Sequence, residues 1–243
     1  MLSAKQLFLI ILLVATLLTL IIIGVRFAEQ IACEGQLFND NLPPTPSQQI
    51  LGERLIGQSF VSPRDKLNRI DLFLQTYERQ NTGDILLQLL EISDDNRNNP
   101  LAGTKVFETT FNATIVRDRT WHHFTFPSLE NSTGKHYLIV LQSPNSVNGN
   151  AITIGGIQQD VYEPGLAFTY APDLGFSELT PVNGDIMFRA CYEMTIVEKL
   201  QIFSEQITKN RPGLWQEFST YLFLFGSYTI LLIIFFWRVL TLE

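Results

Sequence analysis

Two long uncharged apolar runs flank a middle segment in which short apolar stretches alternate with turn residues. No charge occurs from Gln6 to Val25 or from Phe218 to Trp237, 20 residues each. At about 1.5 Å per residue, either run as a helix reaches about 30 Å, the thickness of a bilayer's hydrocarbon core. Leu7 to Val25 is longer than the roughly 7–15-residue core of a cleaved signal, and it passes into Gly24, Val25, Arg26 and Phe27 without a small-x-small site. A retained anchor is therefore expected. The second run carries Tyr221, Phe223, Phe225, Tyr228, Phe235 and Trp237. Trp215 and Trp237 are spaced to meet the two aromatic belts of a bilayer. Gly226 and Ser227, at its middle, would let another helix approach closely.

Lys5 precedes the first run and Arg238 follows the second, which places both termini in the cytoplasm. Arg26, Lys199, Lys209 and Arg211 lie on the opposite flanks, so charge bias alone does not decide the orientation. Cys33 and Cys191, the two cysteines, bracket the middle segment. A disulfide between them implies an oxidising compartment and an extracytoplasmic middle domain.

Five segments follow: an anchor over 1–26, a Pro-containing connector over 27–50, a β-domain over 51–193, a juxtamembrane helix over 194–213 and a second transmembrane helix over 214–243. In the connector, Leu42-Pro43-Pro44-Thr45-Pro46-Ser47 reads as polyproline-like chain. Strands are expected near Ile56–Val61, Asn68–Tyr77, Asp84–Ile92, Lys105–Thr110, Trp121–Phe126, His136–Gln142, Ala151–Ile157, Leu166–Tyr170 and Asp185–Tyr192. The alternation is clearest in Ile70-x-Leu72-x-Leu74 and Tyr137-x-Ile139-x-Leu141. Asn81-Thr82-Gly83, Pro164-Gly165 and Asn183-Gly184 supply turn chemistry between strands. So many short strands predict two packed sheets, a mainly β fold. From Met194 to Lys209 the period changes: Ile196, Val197, Leu200, Phe203 and Ile207 recur at helical spacing. This amphipathic helix would lie in the membrane interface or, slightly favoured by its mixed polar face, pack on protein.

Gly57-Gln58-Ser59-Phe60, Leu67-x-x-Ile70-x-Leu72-x-Leu74, Gly83-Asp84-Ile85-x-Leu87, Trp121-x-x-Phe124-x-Phe126 and Gly184-Asp185-Ile186-x-Phe188 follow one another in a recognisable order. The pattern resembles jelly-roll modules of extracellular and cell-surface proteins, which are similar in shape to carbohydrate-binding modules. That resemblance covers Leu51 to Glu193 and implies a jelly-roll β-sandwich, a ligand-binding or spacer role, and Asp185 as a ligand of a structural calcium ion.

Candidate chemistry is sparse. His122 and His123 are neighbours on an expected strand, so they point to opposite faces and cannot chelate one metal together. His123 would share a face with Trp121 and Thr125, and His122 the other with Phe124 and Phe126. Asp94 and Asp95 open an oxygen-rich tip that could hold calcium, although Arg97 competes there. The best binding-loop candidate lies in the loop-rich stretch from Asp160 to Thr180, where Asp160, Tyr162, Glu163, Phe168, Tyr170 and Asp173 mix rings with carboxylates as glycan recognition requires. No HExxH, CxxC pair or GxSxG occurs, so the chain reads as non-enzymatic, needing no cofactor beyond a structural calcium.

Composition sharpens this picture. Lys and Arg number 17 against 24 Asp and Glu, a net charge of −7, which excludes a basic nucleic-acid binder. The acidity belongs to the middle domain and the hydrophobicity to the two runs. The expected function is an accessory or assembly subunit of a membrane protein complex, with the bilayer and other membrane subunits as partners. The alternative is a cell-surface glycan-binding module.

Overall fold

The computed structural model describes residues 31–35, 45–96, 99–157, 160–209, 213 and 217–241, together with 7, 10, 11, 14–16, 18, 19, 22 and 24. It divides into two units, one of Cys33–Glu193 and one of Met1–Ala32 with Met194–Glu243.

The first unit is built of strands. The chain runs through β1 (Cys33–Gly35), β2 (Thr45–Gln49), β3 (Gly52–Val61), β4 (Leu67–Gln75) and β5 (Asp84–Ile92). It continues through β6 (Thr104–Asn112), β7 (Thr120–Leu129), β8 (His136–Ser143) and β9 (Thr153–Ile157). It ends with β10 (Ala167–Ala171), β11 (Phe176–Val182), β12 (Asp185–Ile186) and β13 (Phe188–Tyr192). These form two antiparallel sheets. Sheet A has the order β1-β13-β4-β9-β12, with β7 also paired to β4 and β2 to β9. Sheet B has the order β11-β10-β3-β8-β5-β6. From β3 onward the chain changes sheet at most of its connections.

The period-2 alternation explains which faces meet. Ile70, Leu72 and Leu74 on β4 and Phe188, Ala190 and Tyr192 on β13 are buried on one side of sheet A. Phe60, Tyr137, Ile139, Leu141, Leu87 and Leu89 are buried on the facing side of sheet B. Phe60 meets Phe188 with ring centroids 5.4 Å apart, and Phe107 and Phe111 on β6 meet Phe126 and Phe124 on β7 at 4.8 and 5.0 Å. Of these rings Phe60, Phe126 and Phe188 are buried, and each contributes about 2–3 kcal/mol. The disulfide joins Cys33 to Cys191, directly opposite each other on β1 and β13. With a separation of 158 residues it constrains nearly the whole unit, worth about 5 kcal/mol in the chain-entropy model.

Three expectations are corrected. The connector is not wholly polyproline-like, because Thr45–Gln49 pairs with β9. The segment Asp160 to Thr180, expected to be loop-rich around one strand near Leu166–Tyr170, holds most of a second strand, β11, beside β10. Among the described residues, strand β11 pairs only with β10, and that edge position tolerates Pro181. The last strand is split at Met187 into β12 and β13.

In the second unit, α1 (Ile196–Thr208) opens with a capping box: Thr195 Oγ1 accepts from the Glu198 N–H, and the Glu198 carboxylate accepts from the Thr195 N–H. At its start the apolar positions are open: Ile196 is 78% exposed, and Val197 and Leu200 are exposed too, whereas Phe203 is half-buried. Phe203 meets Phe218 edge-on at 6.3 Å. Helix α2 (Phe218–Thr241) is apolar all round, with Phe223, Phe225 and Trp237 exposed. Its Phe218–Phe235 stretch is long and apolar enough to cross a membrane, the one such helix among the described residues. The described residues between Leu7 and Gly24 are helical, but most of the first expected span lies outside the described residues, as do Arg211 and Pro212.

Candidate functional site

The residues of the expected binding loop separate into four environments. Tyr162 turns inward: its ring packs edge-on against Phe188 at 5.3 Å, and its hydroxyl donates to the Val61 carbonyl at 3.1 Å. The turn beneath it requires Gly165, where a Cβ would fall on the Ser59 carbonyl. Asp160 and Glu163 stay exposed on the same connection. Asp173 is taken by an ion pair with the Arg54 guanidinium, which holds its carboxyl below the usual range.

Phe168 and Tyr170 go elsewhere. They are two apart on β10 and so share the outer face of sheet B, opposite Gly57 and Leu55. Phe168 packs with Leu55 and Ile92 against Leu90, Leu138 and Val140. Gln142 and Gln88 lie on the same face by register, and the Gln88 amide donates to Glu108 at 2.7 Å. An apolar sheet surface with two rings and flanking amides results.

The calcium candidates are not assembled. Asp94 and Asp95 sit on an exposed 3-10 turn after β5, whereas Asp185 opens β12 in the other sheet and is buried. Asp185 Oδ2 accepts from the N–H groups of Val161 and Tyr162 at 2.9 and 3.0 Å, and Oδ1 from Gln58 at 3.0 Å. Burial pushes its carboxyl above the ordinary value, against the pull of those donors. Its geometry is that of a loop anchor. On α2, Gly226 has open space where a Cβ would stand.

The strand histidines point apart, as alternation requires. His122 accepts at Nε2 from the Arg117 N–H at 3.2 Å and lies 3.1 Å from the Thr120 hydroxyl. Burial lowers its pKa. His123 lies on the outer face of sheet A, where sequence reasoning missed a charged cluster. Asp71, on β4, is opposite both His123 on β7 and Arg189 on β13. The Asp71 side chain is 1% exposed; its Oδ1 lies 2.9 Å from Arg69 Nε and 2.7 Å from His123 Nδ1. Arg69 Nη2 donates to Asp71 Oδ2 at 3.2 Å and also to the sulfurs of Cys33 and Cys191, at 3.2 and 3.3 Å. Arg189 lies over the Trp121 ring at 4.0 Å, and burial lowers its pKa. Cys33, Asp71 and Cys191 are close enough for a metal, but the sulfurs are bonded to each other and Arg69 occupies the ground between them. The available signal was Arg69-x-Asp71, two charges on the alternate positions of the strongly apolar β4.

The molecule is thus a two-sheet antiparallel β-sandwich accompanied by an apolar helix of membrane-crossing length. No family model matches the chain, and no curated protein matches it.

Proposed function

We propose that the chain is a non-enzymatic, membrane-anchored, extracytoplasmic module that serves as an accessory or assembly subunit of a larger membrane complex. The observation that carries this reading is the outer face of sheet B, where Leu55, Leu86, Ile92, Phe168 and Tyr170 leave apolar surface half-exposed. Contiguous apolar surface of this kind marks a contact site. The apolar α2 and the Leu7–Val25 run support two anchors with both termini cytoplasmic, and the disulfide supports an oxidising compartment. The exposed stripe of α1 favours the membrane interface over packing on protein. The frequent change of sheet along the chain supports a jelly-roll-like topology. Purification in mild detergent with a photo-crosslinking residue at Leu86 tests the reading: crosslinks to another membrane protein support it, and a chain that always emerges alone and monomeric overturns it.

A second reading, a surface glycan-binding module, rests on Phe168 and Tyr170 sharing one face with Gln88 and Gln142. Sugars stack on rings while amides take their hydroxyls. A glycan array probed with the full chain in detergent separates the two, and absence of binding removes the second.

A further inference from the structure

We propose that the Cys33–Cys191 disulfide is a thiol–disulfide exchange site, with Arg69 as the residue that stabilises the leaving thiolate. One guanidinium nitrogen, Arg69 Nη2, reaches both sulfurs, at 3.2 and 3.3 Å. A cation placed there favours whichever sulfur carries negative charge and lowers its thiol pKa, and a leaving thiol of lower pKa departs faster. Arg69 is held in place by Asp71, whose buried carboxylate accepts from Nη2 at 3.2 Å and has Oδ1 2.9 Å from Nε. Asp71 Oδ2, 3.5 Å from Cys191 Sγ, opposes negative charge on that sulfur, so the departing thiolate depends on the Arg69 guanidinium. The charged and titratable groups around Asp71 are Arg69 on its own strand, His123 on β7 and Arg189 on β13; the two guanidinium charges against one carboxylate leave a single positive charge, which the thiolate neutralises as it forms. Cys33 is half-buried and Cys191 is 3% exposed, so the attack is assigned to the Cys33 sulfur.

The co-reactant is a dithiol. Its thiolate attacks Cys33 Sγ, the sulfur–sulfur bond breaks, and the electron pair leaves on Cys191 Sγ beside Arg69. That thiolate then takes a proton from solvent or remains paired with the guanidinium. The second thiolate of the co-reactant attacks the mixed disulfide, Cys33 leaves as a thiolate, and the co-reactant closes its own disulfide. Two electrons pass from the dithiol to the Cys33–Cys191 pair, and the reverse sequence oxidises a dithiol. Because β1 is tied to β13 by this bond, reduction releases the first strand of the sandwich from its covalent hold.

The test uses the full chain in mild detergent with dithiothreitol as the probe, counting free thiols by mass-tagged alkylation. At neutral pH the native protein is expected to be reduced at a rate independent of urea well below the unfolding transition. Arg69→Gln is expected to slow reduction about tenfold and Arg69→Lys to restore part of the rate. Asp118→Ala, a destabilising change remote from the sulfurs, controls for opening and leaves the urea-independent rate unchanged. Reduction that tracks global unfolding at every urea concentration overturns the proposal without any variant, and so does an undiminished rate in Arg69→Gln.

Discussion

His123 Nδ1 lies 2.7 Å from Asp71 Oδ1, so an imidazole 55% exposed meets a carboxylate 1% exposed on the outer face of sheet A. The two differ in what depends on them. Asp71 is the counter-charge for Arg69 and stands opposite Arg189, whereas His123 has solvent as an alternative partner. Removing the buried partner of a charged cluster leaves uncompensated charge, so Asp71→Ala should lower stability by about 3 kcal/mol. His123→Ala should lower it by less than about 1 kcal/mol, because the half-exposed imidazole exchanges its contact for water while Asp71 keeps Arg69. Urea unfolding of the two variants checks the order, and equal losses would contradict it.

Asp118 clamps a strained turn. It accepts from the N–H groups of Thr76 and Tyr77 at 2.6 and 2.8 Å, and Tyr77 and Glu78 both hold positive φ, 53° and 59°. Burial pushes its carboxyl up, but these bonds outweigh burial and hold it below the ordinary value. With the folded pKa lowered, its contribution is complete above the ordinary aspartate range and is lost as pH falls through the lowered value. Asp118→Ala should lower neutral-pH stability by about 1–2 kcal/mol and flatten the acid limb of the stability curve. Glu78→Gly, which removes the Cβ penalty at positive φ, should raise stability by roughly 1 kcal/mol. Chemical denaturation across pH 3 to 7 reads both.

How far the sequence speaks for the fold depends on whether a feature is local. Strand β5 is expected and observed over the same residues, Asp84–Ile92, because its alternation and its bounding turns are complete in themselves. Strand β1 has three residues and no pattern, and it exists as a strand only through pairing with β13. Strand β11 carries Pro181 and reads as loop until its edge position is known. The Asp71 cluster draws on residues of β1, β4, β7 and β13, from Cys33 to Cys191. Alternation places His123 with Trp121, but only the register of β4 against β7 and β13 brings Asp71 to them. The binding-loop reading joined six residues by proximity in sequence, and the fold separates them by sheet face.

Asp185 gives a pH dependence of the opposite sign to Asp118. Its folded pKa is raised by burial, so the native state holds a proton more readily than the unfolded chain. Its contribution to stability therefore falls as pH rises from the ordinary aspartate value of 3.8 through the raised one. The carboxylate still satisfies Val161, Tyr162 and Gln58, and Asp185→Ala would leave those donors without their acceptor. The loss should be about 3 kcal/mol, from two or three buried groups at about 1–3 kcal/mol each. Hydrogen exchange at the Val161 and Tyr162 amides should accelerate in this variant well before the sandwich unfolds.

Tyr162 and Tyr170 fall in one stretch of sequence but answer different questions. Tyr162 packs edge-on against buried Phe188 and donates its hydroxyl to the Val61 carbonyl, so truncation removes ring packing and a part-buried hydrogen bond together. Tyr162→Ala should lower stability by about 3 kcal/mol, in the range for a large aromatic ring removed from a core. Tyr170 is half-exposed on the outer face of sheet B. Tyr170→Ala should stay within about 0.5 kcal/mol of the wild type, as surface substitutions usually do. If the sheet B face binds a partner subunit or a glycan, Tyr170→Ala weakens that binding in a protein that remains fully folded. Paired unfolding and binding measurements on the two variants test this division. A Tyr170→Ala protein that loses stability as Tyr162→Ala does would assign the face to packing within the chain and leave no reason to read it as a contact surface.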